Sequence, residues 1–132
     1  MKQKIGTIIV PPGVLIEKHE KLTVDFLAIN LKIDITFLVP SRQPDRKTPD
    51  ITMDNKSWEI KSPKGRSPRT IENNLRLAIQ QSQNIIIDLR RMDGRIPTHR
   101  YTTEIERQFL LAKSVRRIII ITREEKIIDL KR

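Results

Sequence analysis

The sequence predicts a mixed α/β (α+β) fold in which a central mixed sheet is flanked by helices on both faces. Three observations predict it. The runs Ile85-Ile86-Ile87 and Ile118-Ile119-Ile120-Ile121 are apolar on every residue, as strands covered on both faces are. Segments of helical period alternate with these runs, the order of elements that layers helices against a sheet. Short extended segments between them are punctuated by Pro, Gly and Asn.

Taken in order, Thr7 to Val10 reads as a short strand stopped by Pro11-Pro12-Gly13. Glu17 to about Leu31 carries Leu22, Val24, Phe26, Leu27, Ile29 and Leu31 with Glu17, Lys18, Glu20 and Lys21 to one side, an amphipathic helix. Ile33 to Val39 is β-branched, apolar and closed by Pro40, a strand. Ser41 to Lys47 is a charged, proline-containing loop. Asp50 to Met53 and Ser57 to Ser62 form a hairpin around Asp54-Asn55-Lys56, because Asp and Asn tolerate the backbone angles of a tight turn. Pro63 to Pro68 is a basic loop. Thr70 to Ser82 is a helix capped by Thr70, with Ile71, Leu75, Ala78 and Ile79 on one face. Asn84 to Leu89 is a buried strand and Arg90 to Thr102 an arginine-rich loop. A helix over Thr103 to Ser114, capped by Thr102 or Thr103, precedes strands at Arg117 to Thr122 and Lys126 to Leu130.

At 132 residues the chain is expected to be a single domain over 1–132. Its formal net charge of +10 predicts a polyanionic partner, nucleic acid first. The absence of cysteine excludes disulfides, thiolate catalysis and cysteine zinc sites. With only His19 and His99 as imidazoles, a bound metal would be a hard, oxygen-preferring cation, Mg²⁺ or Mn²⁺. Neither a secretory h-region nor a segment of membrane-spanning length is visible, so a cytoplasmic setting is expected.

The stretch from Thr48-Pro49-Asp50 to Trp58-Glu59-Ile60-Lys61 carries the chemistry. Residues i and i+2 of a strand share a face, so Glu59 and Lys61 point one way while Trp58 and Ile60 anchor the other face in a core. Asp50 and Glu59 can each offer a carboxylate oxygen to a hard cation, and Lys61 can orient or deprotonate an attacking water. Catalytic Asp50, Glu59 and Lys61 would together hydrolyse a phosphodiester. The loop residues Lys64, Arg66 and Arg69 and the later Arg90, Arg91, Arg95 and Arg100 can bind flanking phosphates. Asp88 either pairs with Arg90 and Arg91 or faces the site, and His99 is a candidate general acid. With Trp58 in the core, few aromatics remain as stacking platforms, which favours backbone and shape recognition.

Helix, three strands, helix, strand is the core order of the PD-(D/E)XK nucleases, and Pro49-Asp50 … Glu59-Ile60-Lys61 resembles their signature. The resemblance covers roughly residues 17–89, leaving 90–132 as a C-terminal extension. The longer run Thr48-Pro49-Asp50 … Trp58-Glu59-Ile60-Lys61-Ser62-Pro63-Lys64-Gly65 … Thr70-Ile71-Glu72-Asn73-Asn74-Leu75-Arg76 … Ala78 to Arg90 resembles the nuclease domain at the C-termini of contact-dependent growth inhibition (CdiA-type) toxins, many of which are tRNases. The resemblance implies a restriction-endonuclease-like αβββαβ core. It implies a metal shell of Asp50 and Glu59 completed by Glu20, with Glu17 as competitor, and nucleic-acid contacts from Gln80 and Gln81. It also implies an RNA, tRNA or DNA substrate and an acidic immunity protein as partner. A homodimer, a metal-independent ribonuclease of barnase/EndoU/colicin type, and a non-catalytic basic nucleic-acid-binding protein remain open alternatives.

Overall fold

The computed structural model describes residues 5–40 and 48–132. The expected loop at Ser41 to Lys47 lies outside the described residues. Among the described residues seven strands form one mixed sheet, in spatial order identical to chain order: β1 (Ile8–Ile9), β2 (Ile35–Phe37), β3 (Ile51–Met53), β4 (Lys56–Lys61), β5 (Asn84–Asp88), β6 (Arg117–Ile121) and β7 (Ile127–Lys131). The pairs β1/β2, β4/β5 and β5/β6 are parallel, and the others are antiparallel. Among the described residues there are three α-helices, α1 (Lys18–Asn30), α2 (Pro68–Ile79) and α3 (Thr98–Leu111). No helix among the described residues is long and apolar enough to cross a membrane.

The isoleucine runs are buried on both faces, as their composition requires. Ile86, Ile119 and Ile121 join Trp58, Ile60, Ile51 and the Val24, Leu27 and Ala28 stripe of α1 in one core. Ile85, Ile87, Ile118 and Ile120 face the other way, onto Ile71 and Leu75 of α2 and Tyr101, Ile105 and Phe109 of α3. The buried Trp58 is satisfied by donation from Nε1 to the Met53 carbonyl at 2.9 Å.

Several boundaries differ from expectation; α2 and α3 end at Ile79 and Leu111, short of the expected Ser82 and Ser114, and their starts differ for identifiable reasons. α2 starts at Pro68, not Thr70, because Ser67 takes the cap: its Oγ accepts from Arg69 N at 3.1 Å, and a proline in the first turn has no N–H to leave unsatisfied. α3 starts at Thr98, not Thr103, and its first turn has no side-chain cap. The buried stripe Tyr101, Ile105, Phe109 runs at i, i+4, i+8; its first member was hidden among Arg95, His99 and Arg100. The remainder of the expected Arg90–Thr102 loop includes a short 3-10 turn at Leu89–Arg91. Asp50 lies one residue before β3 but is tied into the sheet. Its N–H donates to the Trp58 carbonyl at 3.0 Å, and its carbonyl accepts from Leu38 N at 2.9 Å.

Candidate active site

The hairpin sets the register of the site. Asp54 and Asn55 take positive φ of 55° and 59°, the geometry of a two-residue turn whose twist matches the flanking strands. Ile51 is thereby fixed opposite Trp58, and one residue further Asp50 falls beside Glu59. Asp50 Oδ2 accepts from Ile60 N at 2.8 Å, which aims the carboxylate across the end of β4.

Glu59 is 3% exposed. Its Oε2 lies 3.4 Å from Lys61 Nζ, while its Oε1 is buried without a hydrogen-bond partner. Burial first, then the negative charge of Asp50 and a side-chain hydrogen bond to it that the protonated form makes, push the Glu59 carboxyl up to about 8, against a smaller downward pull from Lys61. Glu20, in the first turn of α1, is pushed up to about 7 by burial, then by Asp50 and Glu17. Lys61 again pulls down. Two helix and strand ends thus converge: Glu20 comes to the Asp50–Glu59–Lys61 group from α1.

A buried carboxylate oxygen without a donor, beside a second carboxylate, is an electrostatic deficit that a divalent cation would relieve. Asp50, Glu59 and Glu20 all offer the hard oxygen donors that Mg²⁺ or Mn²⁺ takes, although their donor atoms do not come within 4.8 Å of one another as a set. Among the described residues, the three-ligand grouping whose donor atoms lie within 4.8 Å of one another is Glu17, His19 and Glu20. It shares Glu20 with the site, and His19 Nε2 there lies 3.1 Å from Glu17 Oε2.

The basic residues separate into distinct roles. Asp88, 2% exposed, accepts from Thr23 Oγ1 at 2.7 Å and from Arg90 Nε and Nη2 at 3.0 and 2.7 Å. Arg90 also donates to the Leu22 carbonyl and lies over the Phe26 ring at 4.7 Å. Asp88 and Arg90 are therefore a strut between β5 and α1, and the in-plane donors Arg90 uses there are engaged in holding it. Arg91 is exposed, with Nη1 3.2 Å from the Ser62 carbonyl. It shares a groove with Lys64, Gly65, Arg66, Asp93 and Arg95. Gly65, at φ 149°, lets the loop dock: its carbonyl accepts from Asp93 N at 2.7 Å. Arg95 is held by Asp93.

Some expected residues are not brought together. Arg69 faces a cleft between α2 and α3 with Glu72, Arg76, Glu104 and Arg107. Gln80 caps the C-terminus of α2 and Gln81 N donates to the Ala78 carbonyl. The neighbouring Ser82 Oγ bonds to the Ser57 carbonyl, at the start of β4, whereas the site lies at its finish. The reason is topological: α2 is the crossover between parallel β4 and β5, so it runs back down the sheet and carries both glutamines away from the site. His99 and Arg100 are exposed on the first turn of α3. Sequence reasoning missed His19 and Leu22, which line a cleft beside the site with Ser62, Asp88, Arg90 and Arg91. The adjacency of His19 to Glu20 was the available signal. A larger open cleft, about 550 Å³ and lined by Asp34, Thr36, Asp54 and Lys56 among others, lies at the hairpin end, away from the acids.

Comparison with known proteins agrees with this architecture. Residues 47–127 match the family described as the contact-dependent growth inhibition CdiA C-terminal domain. No curated protein matches in sequence. A chain of the CdiA-CT/CdiI toxin and immunity complex from Burkholderia pseudomallei superposes with a TM-score of 0.63, covering 96% of this chain and 100% of that one at 17% identity. At that identity the likeness speaks for the fold alone. The sequence match, in contrast, spans more than half of the chain and includes Asp50, Glu59 and Lys61. The chain belongs to the CdiA C-terminal toxin domain family of contact-dependent growth inhibition.

Proposed function

We propose that this domain is a metal-dependent endonuclease of PD-(D/E)XK type, acting as one unit over residues 1–132. The observation that carries the reading is the buried, partnerless Glu59 Oε1 beside the Asp50 carboxylate. Asp50 and Glu59 would hold Mg²⁺ or Mn²⁺, with Glu20 completing the acidic set. Bound there, such a cation supplies Lewis-acid stabilisation of the charge that develops on phosphorus-bound oxygens and lowers the pKa of a coordinated water.

The remaining work falls to the chain itself. Lys61, held by Glu59, presents an ammonium whose other donors can align the attacking water or the scissile phosphate. The same ammonium, on losing its proton, could serve as the base for that water. Lys64, Arg66 and Arg91 would bind phosphates away from the cut, where they fix register without reading sequence. The substrate is nucleic acid, and the family tilts the choice toward structured RNA such as tRNA. The solved relative is described as a toxin and immunity complex. An acidic immunity protein covering Lys64, Arg66 and Arg91 is the partner we propose here.

The test is cleavage of total RNA and plasmid DNA in Mg²⁺ and in EDTA, by the wild type and by Glu59→Gln. The reading expects cleavage only by the wild type and only with metal. Equal degradation by both proteins removes the site assignment. Chelator-resistant cleavage leaving 2′,3′-cyclic phosphate ends would instead select a metal-independent ribonuclease.

A further inference from the structure

We propose that the cleft formed by His19, Leu22, Ser62, Asp88, Arg90 and Arg91 is a slot for a single nucleobase next to the scissile phosphate. The inference rests on the nuclease reading and deepens it, by assigning a base-contacting subsite where the described residues include no exposed aromatic cluster.

Its position comes first. Two of the lining residues are chain neighbours of the site: His19 precedes Glu20 on α1, and Ser62 follows Lys61 at the end of β4. On its other side, Arg91 also lines the groove with Lys64 and Arg66. The cleft therefore lies between the acids and the basic groove. A nucleic-acid backbone spanning both must place one sugar and base over it.

Size and lining come second. The cleft holds about 240 Å³, less than the few hundred Å³ and more that whole cofactors or drug-sized ligands occupy. Its surface is contributed by the aliphatic Leu22, which is 52% exposed, by the His19 ring and by the Arg90 guanidinium. Single-stranded nucleic acid is held by such flat or apolar surfaces, with arginine planes serving as well as aromatic rings.

The state of Arg90 is the third and most specific argument. A phosphate is bound by the in-plane N–H fork of arginine. Here Nε and Nη2 already donate to Asp88 and the Leu22 carbonyl. The guanidinium lies over the Phe26 ring at 4.7 Å, and Arg90 lines the cleft. An arginine held along its Nε–Nη2 edge and lining a cleft offers a guanidinium plane of fixed orientation on which a base can stack. Thr23 Oγ1, bonded to the same Asp88, holds α1 against that platform and keeps Leu22 and His19 in place. Ser62 and His19 supply the polar groups that could meet a base edge.

Two measurements test the slot. In the first, the metal-free full-length chain, labelled on leucine methyls and arginine Nε–Hε groups, is titrated by NMR with AMP, CMP, GMP and UMP, and separately with inorganic phosphate. Shifts at Leu22 and Arg90 with nucleotides, absent with phosphate, are expected. No shift, or the same shift with phosphate alone, overturns the slot. In the second, cut sites in a random-sequence pool are sequenced for the wild type, Leu22→Ala and His19→Ala. Loss of a stacked base contact raises KM about 5–10-fold, with kcat within about twofold, and flattens the base preference at one position beside the cut. Unchanged preference and KM overturn the slot. Both substitutions are at partly exposed positions, and circular dichroism confirms that the variants fold. Nucleotide shifts in a chain that cuts no nucleic acid would sink the nuclease reading and leave the slot standing. Normal cleavage without those shifts would sink the slot alone.

Discussion

Replacing Glu59 with glutamine should stabilise the metal-free protein while abolishing its activity. The native carboxylate is buried, faces Asp50, and has one oxygen without a donor. Its carboxyl is raised from 4.5 to about 8. A carboxylate with a raised folded-state pKa binds its proton more tightly in the folded chain than in the unfolded one. Its contribution is therefore fully present below pH 4.5 and is lost as pH rises to about 8. At ~1.4 kcal/mol per tenfold change in proton affinity, the ceiling on that loss is roughly 5 kcal/mol. The pull of Lys61 is already contained in that value, and hydration of the site offsets part of the remainder, so about 2 kcal/mol is the working figure. For a chain of this size that corresponds to roughly 5–10 °C in Tm. The assay is differential scanning calorimetry of the wild type and Glu59→Gln in EDTA at pH 5 and pH 8.5. The variant should come closest to the wild type at pH 5, where the folded-state carboxyl is still protonated, and exceed it at pH 8.5. A variant that is equal or less stable at pH 8.5 refutes the claim that the native charge is held at a cost.

Other consequences follow from the same geometry. Because Glu20 and Glu59 must lose protons to ligate metal, and titrate near 7 and 8, Mg²⁺-dependent cleavage should rise between pH 6 and pH 8.5. A profile flat across that range in a pH series at subsaturating metal contradicts the ligand assignment. Thr23→Val removes the donor to buried Asp88, and chemical denaturation should show a loss of about 1–3 kcal/mol, largely restored in Thr23→Ser. Ser67→Ala should cost about 1 kcal/mol by the same method, whereas Thr70→Ala, inside the helix, should cost less. Arg91→Ala should weaken nucleic-acid binding across sequences and reduce the salt slope of log K by about 1, measured by fluorescence anisotropy at several salt concentrations.

The sheet and its two covered faces were legible in the chain because burial leaves a direct mark on composition. Three consecutive isoleucines at 85–87 alternate between the two cores, and no one-sided strand would tolerate that. The facing of Glu59 and Lys61 was legible for an equally local reason, the period of two along a strand. The start of α3 was not, since Tyr101 is a lone apolar residue among charges and its burial depends on a tertiary bond from its hydroxyl to the Asp93 carbonyl. Glu20 was nominated through the resemblance. Its approach to Asp50 depends on how α1 crosses the sheet, a long-range fact that no local pattern encodes. The reading of Gln80 and Gln81 omitted the direction of the β4–α2–β5 crossover, which takes the end of α2 back to the start of β4, opposite the site. Arg90 looked like a free phosphate ligand. Only its contacts to Asp88, Leu22 and Phe26 show it to be a strut.

The most direct test of the metal-centred account is an anomalous difference map from crystals of this domain soaked in Mn²⁺. The account predicts a peak bridged by Asp50 and Glu59 oxygens at about 2.1–2.2 Å, with Glu20 drawn toward it and the peak lost in Glu59→Gln. An absent peak, or one confined to Glu17 and His19 with the Asp50–Glu59 pair bare, would contradict it.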